Sequence, residues 1–204
     1  MSTVVEHARH EPEDLLAMPD GDRFELVEGR LVERNMGKWS SYVAGNTYLR
    51  LRNHTDTHRL GWVYPEGTSY QCFPDDPKRV RRPDVSFIRL DRMSSEEAMS
   101  EGHVGIVPDL AVEVISANDL AYDVDEKVDE YETAGVKLIW IVNPEMRTVR
   151  VHRADGTVRL LREKDELDGE HVLPGFRCRV GELFLPAAGS VPAMTSGGEV
   201  PRVS

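Results

Sequence analysis

Two short apolar segments with one amphipathic segment between them constrain the fold of this chain most strongly. DLAVEVIS (109–116) and KLIWIVNP (137–144) are nearly continuous in apolar character, as is typical of strands covered on both faces. The residues between them predict a helix from about Tyr122 to Ala134, which Gly135 ends. A strand, a helix and a second strand in this order predict two parallel neighbouring strands of an α/β fold.

Further strands and helices are predicted on both sides of this unit. The other strands are predicted at 24–29, 30–35, 62–73, 80–90, 146–153, 157–163 and 171–180, and the other helices at 11–18, 38–58 and 94–101. Ser40 or Ser41 is expected to cap the long helix. We therefore expect a mixed central β-sheet flanked by helices, in one domain over residues 11–185, with a flexible N-terminus (1–10) and a disordered tail (186–204).

Length and composition limit the class of protein. A chain of 204 residues favours one domain with one active site. We expect no contact with a membrane, because no segment approaches the roughly 18 consecutive apolar residues of a membrane span. The N-terminus lacks the basic start and apolar centre of a secretory signal, which predicts a cytoplasmic protein. Cys72 and Cys178 are far apart and are expected to be buried thiols.

The net charge of −11 argues against tight nonspecific binding of a polyanion. Two features offset this charge in part. A basic run, Lys78, Arg79, Arg81 and Arg82, precedes Asp84 directly. A bound cation would also neutralise carboxylates at a site.

Glu113 lies inside the first apolar strand. Alternation along that strand places it on one face with Ala111 and Ile115. A buried carboxylate requires a partner, which can be a cation, a lysine or a metal ion. Two alternatives remain open: the strand lies at an edge with one wet face, or an arginine pairs with Glu113 for purely structural reasons.

Lys127 falls within the apolar stripe of the predicted helix, together with Val124, Val128 and Tyr131. Such a stripe packs back onto the sheet, so the ammonium should point toward the layer that contains Glu113. In the alternative, the stem of the lysine covers apolar surface while its head reaches water.

Asp84 stands at the start of a predicted strand, where it shares a face with Ser86. It could merely cap a turn. However, two carboxylates on adjacent strands beside a lysine are the groups that a hard cation such as Mg²⁺ and an attacking water require.

Several segments in one order carry a family resemblance. They are FELVEGRLV, RRPDVSFI, DLAVEVIS, DEKVDEYETAGVKLIWIVNP, VRVHR and LPGFRCRVGELF. Together they resemble the Uma-two family of restriction endonucleases, within the PD-(D/E)xK nuclease superfamily, over nearly all of residues 11–185. The wider superfamily places its lysine two residues after the glutamate, where this chain has Ile115. The Uma-two family is similar to this chain in placing the lysine on the following helix, where Lys127 matches.

The resemblance implies a restriction-endonuclease-like core and a metal-dependent endonuclease that hydrolyses DNA. Asp84 and Glu113 would bind Mg²⁺ or Mn²⁺, and Lys127 would orient the water or stabilise charge on the phosphate. Glu25 from the first hairpin would complete the acidic cluster, although Glu28 lies in the same motif.

Other functions stay open at this point. The acidic composition also fits a catalytically degenerate nuclease fold that serves as a nucleic-acid or protein-binding module. NMGKWSS and SANDLAYD depart from the family pattern, which puts substrate contacts in doubt more than metal binding. A homo-oligomer, or a complex with a basic subunit, is a further possibility.

Overall fold

The computed structural model describes residues 9–34, 37–117 and 119–184. Its helices are α1 (Pro12–Ala17), α2 (Lys38–His58), α3 (Ser95–Ala98) and α4 (Ala121–Ala134). Its strands are β1 (Phe24–Val27), β2 (Arg30–Glu33), β3 (Gly61–Pro65), β4 (Val85–Arg89), β5 (Leu110–Val114), β6 (Leu138–Asn143), β7 (Thr148–Arg153), β8 (Val158–Arg162), β9 (Glu166–Asp168) and β10 (Arg177–Arg179).

The predicted flexible N-terminus falls mostly outside the described residues, and the predicted disordered tail falls entirely outside them.

A six-stranded mixed sheet forms the centre of the fold, in the order β3-β4-β5-β6-β7-β8. The strands β5 and β6 are parallel, with Glu113 opposite Ile141, and the other neighbouring strands are antiparallel. The connection between the parallel pair is α4, so the predicted strand-helix-strand unit and the mixed α/β class are confirmed.

The two faces of the sheet are covered by different elements. One face packs Val85, Val112 and Trp140 against α2 and against the segment that contains β9 and β10. The other face packs Ala111 and Ile139 against α4 and the loop before β4. Alternate residues of β5 therefore enter opposite cores, which is the reason for the unbroken apolar character of DLAVEVIS.

The hairpin β1–β2 lies outside the central sheet but is attached to the segment that leads into β4. Leu26 and Val80 exchange both backbone hydrogen bonds, each 2.9 Å long, and their side chains share a small core with Leu15 of α1. This attachment brings Glu25, the residue before Leu26, toward the start of β4.

Three predicted features differ from the structure. The strand expected at 62–73 ends at Pro65, which has no N–H to continue a ladder, and Gly67 at φ +99 turns the chain. Segment 171–180 forms only β10, which pairs with β9 in a separate two-stranded sheet. The N-cap of α2 is Gly37 rather than a serine, and Ser40 donates from its hydroxyl to the Gly37 carbonyl.

No helix among the described residues has the length and apolar character needed to cross a membrane. Cys178 is buried and Cys72 is half-buried, and both are free thiols. Burial raises the pKa of Cys72 to about 12 and that of Cys178 to about 11.

Candidate active site

A cavity of about 410 Å³ lies where the β1–β2 hairpin, the end of β5 and the first turns of α4 meet. Its lining includes three buried carboxylates and three cationic side chains: Glu25, Asp84, Glu113, Arg34, Arg81 and Lys127. Both signs of charge are thus concentrated in one concave region, on the side of the sheet that α4 covers.

Glu113 extends from β5 toward α4 and is only 8% exposed. The Tyr131 hydroxyl donates to Oε1 at 2.7 Å, and the Lys127 ammonium donates to Oε2 at 3.3 Å. Glu113 therefore has partners on both oxygens, and it shares a face of β5 with Ala111 as the alternation predicts.

Lys127 lies between two acidic side chains. Its Nζ is 3.2 Å from the Glu25 carboxylate and 3.3 Å from that of Glu113, and its side chain is 21% exposed. Burial alone would lower the pKa of Lys127, but the charges of Glu113 and Glu25 outweigh this effect and raise it. The ammonium thus stays protonated and points between the carboxylates rather than into solvent.

Asp84 stands one residue before β4 and is held on both sides by β5. Its backbone N–H donates to the Val112 carbonyl at 3.0 Å, and the Val114 N–H donates to its Oδ2 at 2.7 Å. Arg34 donates to the other carboxylate oxygen at 2.8 Å. Burial and repulsion by the charge of Glu113 nevertheless raise the pKa of Asp84 to about 8.

The hairpin contributes Glu25, not Glu28. Glu25 is 1% exposed and accepts the Arg82 N–H at 2.9 Å and an Arg81 guanidinium N–H at 3.0 Å. Burial alone would raise the pKa of Glu25, but Lys127 and Arg81 lower it to about 2. Glu28 is exposed, at the turn with φ +50.

The arginines of the basic run before Asp84 do not form an open surface for phosphate. Arg81 binds Glu25 and donates twice to Glu130, at 2.5 and 2.8 Å. Arg82 donates to three backbone carbonyls, and Arg79 pairs with Asp75 and Glu130. These guanidinium groups are buried because they hold the hairpin and α4 against the sheet.

Sequence reasoning missed Arg34, Arg81 and Glu130. Arg81 and Glu130 are 49 residues apart in sequence, and Arg34 is 50 residues from Asp84. From the sequence, Glu130 is one of several acids on a helix that is largely exposed on its acidic side, yet it is only 5% exposed. Pairing over such distances leaves no local pattern in a single sequence.

The donor set at the site fits a hard divalent cation. Within 9–34, 37–117 and 119–184, no group of three or more His, Cys, Asp or Glu side chains is arranged to hold a metal ion. Mg²⁺ does not require such a group, because it is commonly held by one or two carboxylates and keeps several waters. Asp84 and Glu113 offer two carboxylates whose mutual repulsion a cation would relieve.

Comparison with known proteins shows which family the chain matches. The Uma2 family, described as "Putative restriction endonuclease", matches residues 12–181. A search of curated proteins found no match. Among solved structures, the chain is similar to "a putative nuclease belonging to DUF820" from Anabaena variabilis. That likeness has a TM-score of 0.71 and 18% sequence identity, and covers 85% of this chain and 97% of the other.

The matched range includes the hairpin, the start of β4, β5 and α4, which together carry Glu25, Asp84, Glu113 and Lys127. The chain therefore belongs to the Uma2 family.

Proposed function

We propose that residues 11–185 form a nuclease domain that hydrolyses phosphodiester bonds within DNA and depends on Mg²⁺ or Mn²⁺. One observation carries this proposal: the Lys127 ammonium lies 3.2 to 3.3 Å from two carboxylates, in the cavity that Asp84 also lines. Family membership and the fold of a structure titled as a nuclease support the same reaction class.

The roles of the residues follow from their contacts. Asp84 and Glu113 would hold the cation, which when bound would supply Lewis-acid stabilisation of the phosphate and lower the pKa of a bound water. The Val114 N–H and the Tyr131 hydroxyl fix the orientations of these two carboxylates. Lys127 is already protonated, so its role is to orient the attacking water or to stabilise negative charge that develops on the phosphate.

Glu25 would act through Lys127 as a positioning residue. Its carboxylate is 3.2 Å from the ammonium and is itself held by Arg81 and the Arg82 N–H. Lys127 therefore has two acidic neighbours: Glu113, one of the two proposed metal ligands, and Glu25 of the hairpin. This arrangement limits the positions that the ammonium can take up.

A cleavage assay on single-stranded, duplex and branched DNA with Mn²⁺ tests the proposal. We expect Lys127→Ala to reduce the rate by about 10²-fold or more, because it removes a preorganised charge. Lys164→Ala is a matched control, since Lys164 is exposed and does not line the cavity. Equal activity of the wild type and Lys127→Ala would remove Lys127 from the mechanism.

The rival function is a degenerate nuclease fold that binds nucleic acid or protein without cleavage. The internal pairing of Arg79, Arg81 and Arg82 favours it, because these cations are not free to contact phosphates. Calorimetry with Mg²⁺ or Mn²⁺ separates the two functions. The nuclease requires binding in the wild type and its loss in Glu113→Gln, whereas no affinity in either protein favours the module.

Self-association is a separate prediction. Size-exclusion chromatography with light scattering tests it directly, and a mass of one chain, 23.0 kDa, would exclude a stable homo-oligomer.

A further inference from the structure

We infer that Arg34 is a built-in competitor of the metal ion at Asp84, and that once displaced it becomes a contact for the substrate phosphate. This inference rests on the proposed function, since it concerns the same cavity. It starts from the position of Arg34, which directly follows β2 and lines the cavity between the hairpin and β5.

The contacts of Arg34 show that its guanidinium acts as a counter-cation. Nη2 donates to Asp84 Oδ1 at 2.8 Å, and both side chains are largely buried, at 11% and 7% exposed. The remaining Asp84 oxygen accepts the Val114 N–H, which belongs to the rigid strand β5. A cation that enters the site must therefore share or replace the oxygen that Arg34 now holds.

Arg34 differs from the other two described cations that line the cavity. Arg81 is 3% exposed and fixed by Glu25 and Glu130, while Lys127 lies between Glu25 and Glu113. The second carboxylate near Arg34 is that of Glu66, which is 44% exposed and 3.9 Å away. Arg34 thus keeps guanidinium N–H donors that its one buried partner, Asp84, does not use.

These features assign two states to one side chain. Without a metal ion, the guanidinium offsets the charge of Asp84. With the ion bound, the guanidinium loses its partner but remains at the cavity wall, where its planar fork can bind a phosphodiester oxygen pair. In a chain with a net charge of −11 such a contact would help to hold a polyanion, and the buried Arg79, Arg81 and Arg82 cannot provide one.

The first test is calorimetric titration of Mn²⁺ into the wild type, Arg34→Ala and Arg34→Gln. Arg30→Ala is the matched control, because Arg30 is exposed on the same hairpin, does not line the cavity and removes the same charge. We expect both Arg34 variants to bind Mn²⁺ about fivefold or more tightly than the wild type, and Arg30→Ala to be unchanged.

Failure of the inference and failure of the proposed function give different results. If the wild type binds Mn²⁺ and the Arg34 variants bind no more tightly than Arg30→Ala, the competition is refuted and the proposed function stands. If no protein binds Mn²⁺, both are overturned. Binding of Mn²⁺ by the Arg34 variants but not by the wild type would support the competition and would contradict the proposed metal-dependent activity of the wild type. Thermal unfolding monitors whether each variant folds, and Arg34→Gln retains a donor to Asp84 should the alanine variant be unstable.

The second test measures fluorescence anisotropy of a labelled duplex oligonucleotide over a range of salt concentrations, with saturating Ca²⁺ as a hard-ion substitute. We expect Arg34→Ala to weaken binding and to reduce the slope of log affinity against log salt by about one. A slope equal to that of Arg30→Ala would remove the phosphate contact from the inference.

Discussion

Glu25 shows how this protein accommodates a buried charge. Its carboxylate is surrounded by the Arg82 N–H, the Arg81 guanidinium and the Lys127 ammonium, and these groups lower its pKa although burial opposes them. A buried charge is tolerated only when its lone pairs are satisfied in this way. The same contacts make the residue sensitive to substitution.

Glu25→Gln should therefore destabilise the protein by roughly 3 kcal/mol, because it leaves buried cations without their partner charge. Glu28→Gln is the control, since Glu28 is exposed and should change stability by less than about 0.5 kcal/mol. Urea denaturation of both variants measures the difference. Similar midpoints for the two variants would contradict the proposed electrostatic role of Glu25.

Asp109 is a second buried carboxylate, placed just before β5. It accepts the Arg89 N–H at 2.9 Å and pairs with Lys137 at 2.7 Å and Arg92 at 2.9 Å. Burial would raise the pKa of Asp109, but Lys137, Arg89 and Arg92 together lower it. Because the Asp109 N–H and C=O groups also bond to Phe87 and Leu138, this residue links β4 and β6 to the start of β5.

The lowered pKa of Asp109 predicts a specific pH dependence. A carboxyl whose pKa is lower in the folded protein stabilises the fold above its unfolded pKa, near about 4, and loses this contribution as the pH falls through the folded value. Asp109→Asn should cost about 2 kcal/mol at neutral pH. This cost should shrink as the pH falls from about 4 toward the lower pKa of the folded protein, because the carboxyl binds a proton in the unfolded chain first.

Urea denaturation at neutral and acid pH measures this change, with the exposed Asp129→Asn as control. A cost for Asp109→Asn that stays constant with pH would show that the loss is steric rather than electrostatic.

Single residues differ in how far the sequence could predict them. Glu113 could be predicted, because a carboxylate inside an apolar strand is locally anomalous. The choice between Glu25 and Glu28 could not be made, since it depends on which side of the hairpin meets Arg81. Arg34 gave no signal, because its partner lies on a strand that is distant in sequence.

Helix α4 is the element that assembles the site. Lys127 and Tyr131 are four residues apart and both reach Glu113, while Glu130 reaches Arg81. Spacings of three and four residues place these side chains on neighbouring positions of one helical face. Arg81 thereby connects the helix to the hairpin through Glu25.

A double-mutant cycle tests this connection. Arg81→Leu alone should cost about 3 to 5 kcal/mol, because it removes the buried guanidinium that Glu25 and Glu130 share. Adding Glu130→Leu should recover part of this loss, with an interaction energy of about 1 to 3 kcal/mol. Chemical denaturation of the two single variants and the double variant measures the cycle. Simple additivity would contradict the coupling of α4 to the hairpin through Arg81.

Helices and strands could be predicted best from the sequence where the pattern that defines them is local. The bounds of α2 and the C-terminal end of α4 agree with prediction, because apolar spacing and Gly135 define them. The strand pairing of segment 171–180 could not be predicted, since it depends on Leu167 and Cys178 meeting across a loop. The docking of the hairpin through Leu26 and Val80 was unpredictable for the same reason.

Over the whole molecule, the distribution of charge disfavours the approach of the proposed substrate, DNA. Much of the basic run is buried, and acidic side chains line the same cavity as the proposed catalytic groups, among them Glu33, Asp119, Asp123 and Glu126. An acidic rim repels a polyanion and lowers its association rate, an effect that salt screens. The fold thus combines the proposed cation-binding centre with an entrance that disfavours nonspecific DNA.

Neutralising this rim should increase DNA cleavage at low salt. Glu126→Gln removes one rim charge whose side chain is 58% exposed and whose nearest cation, Arg81, is 3.8 Å away and already paired. We expect kcat/KM for duplex DNA to rise by about two- to fivefold at low ionic strength, and this gain to disappear as salt increases. Asp129→Asn is the control, because Asp129 is an exposed acid on the same helix that does not line the cavity. An equal gain in both variants would assign the effect to net charge alone, whereas a gain confined to Glu126→Gln would locate the path of the DNA over the first turns of α4.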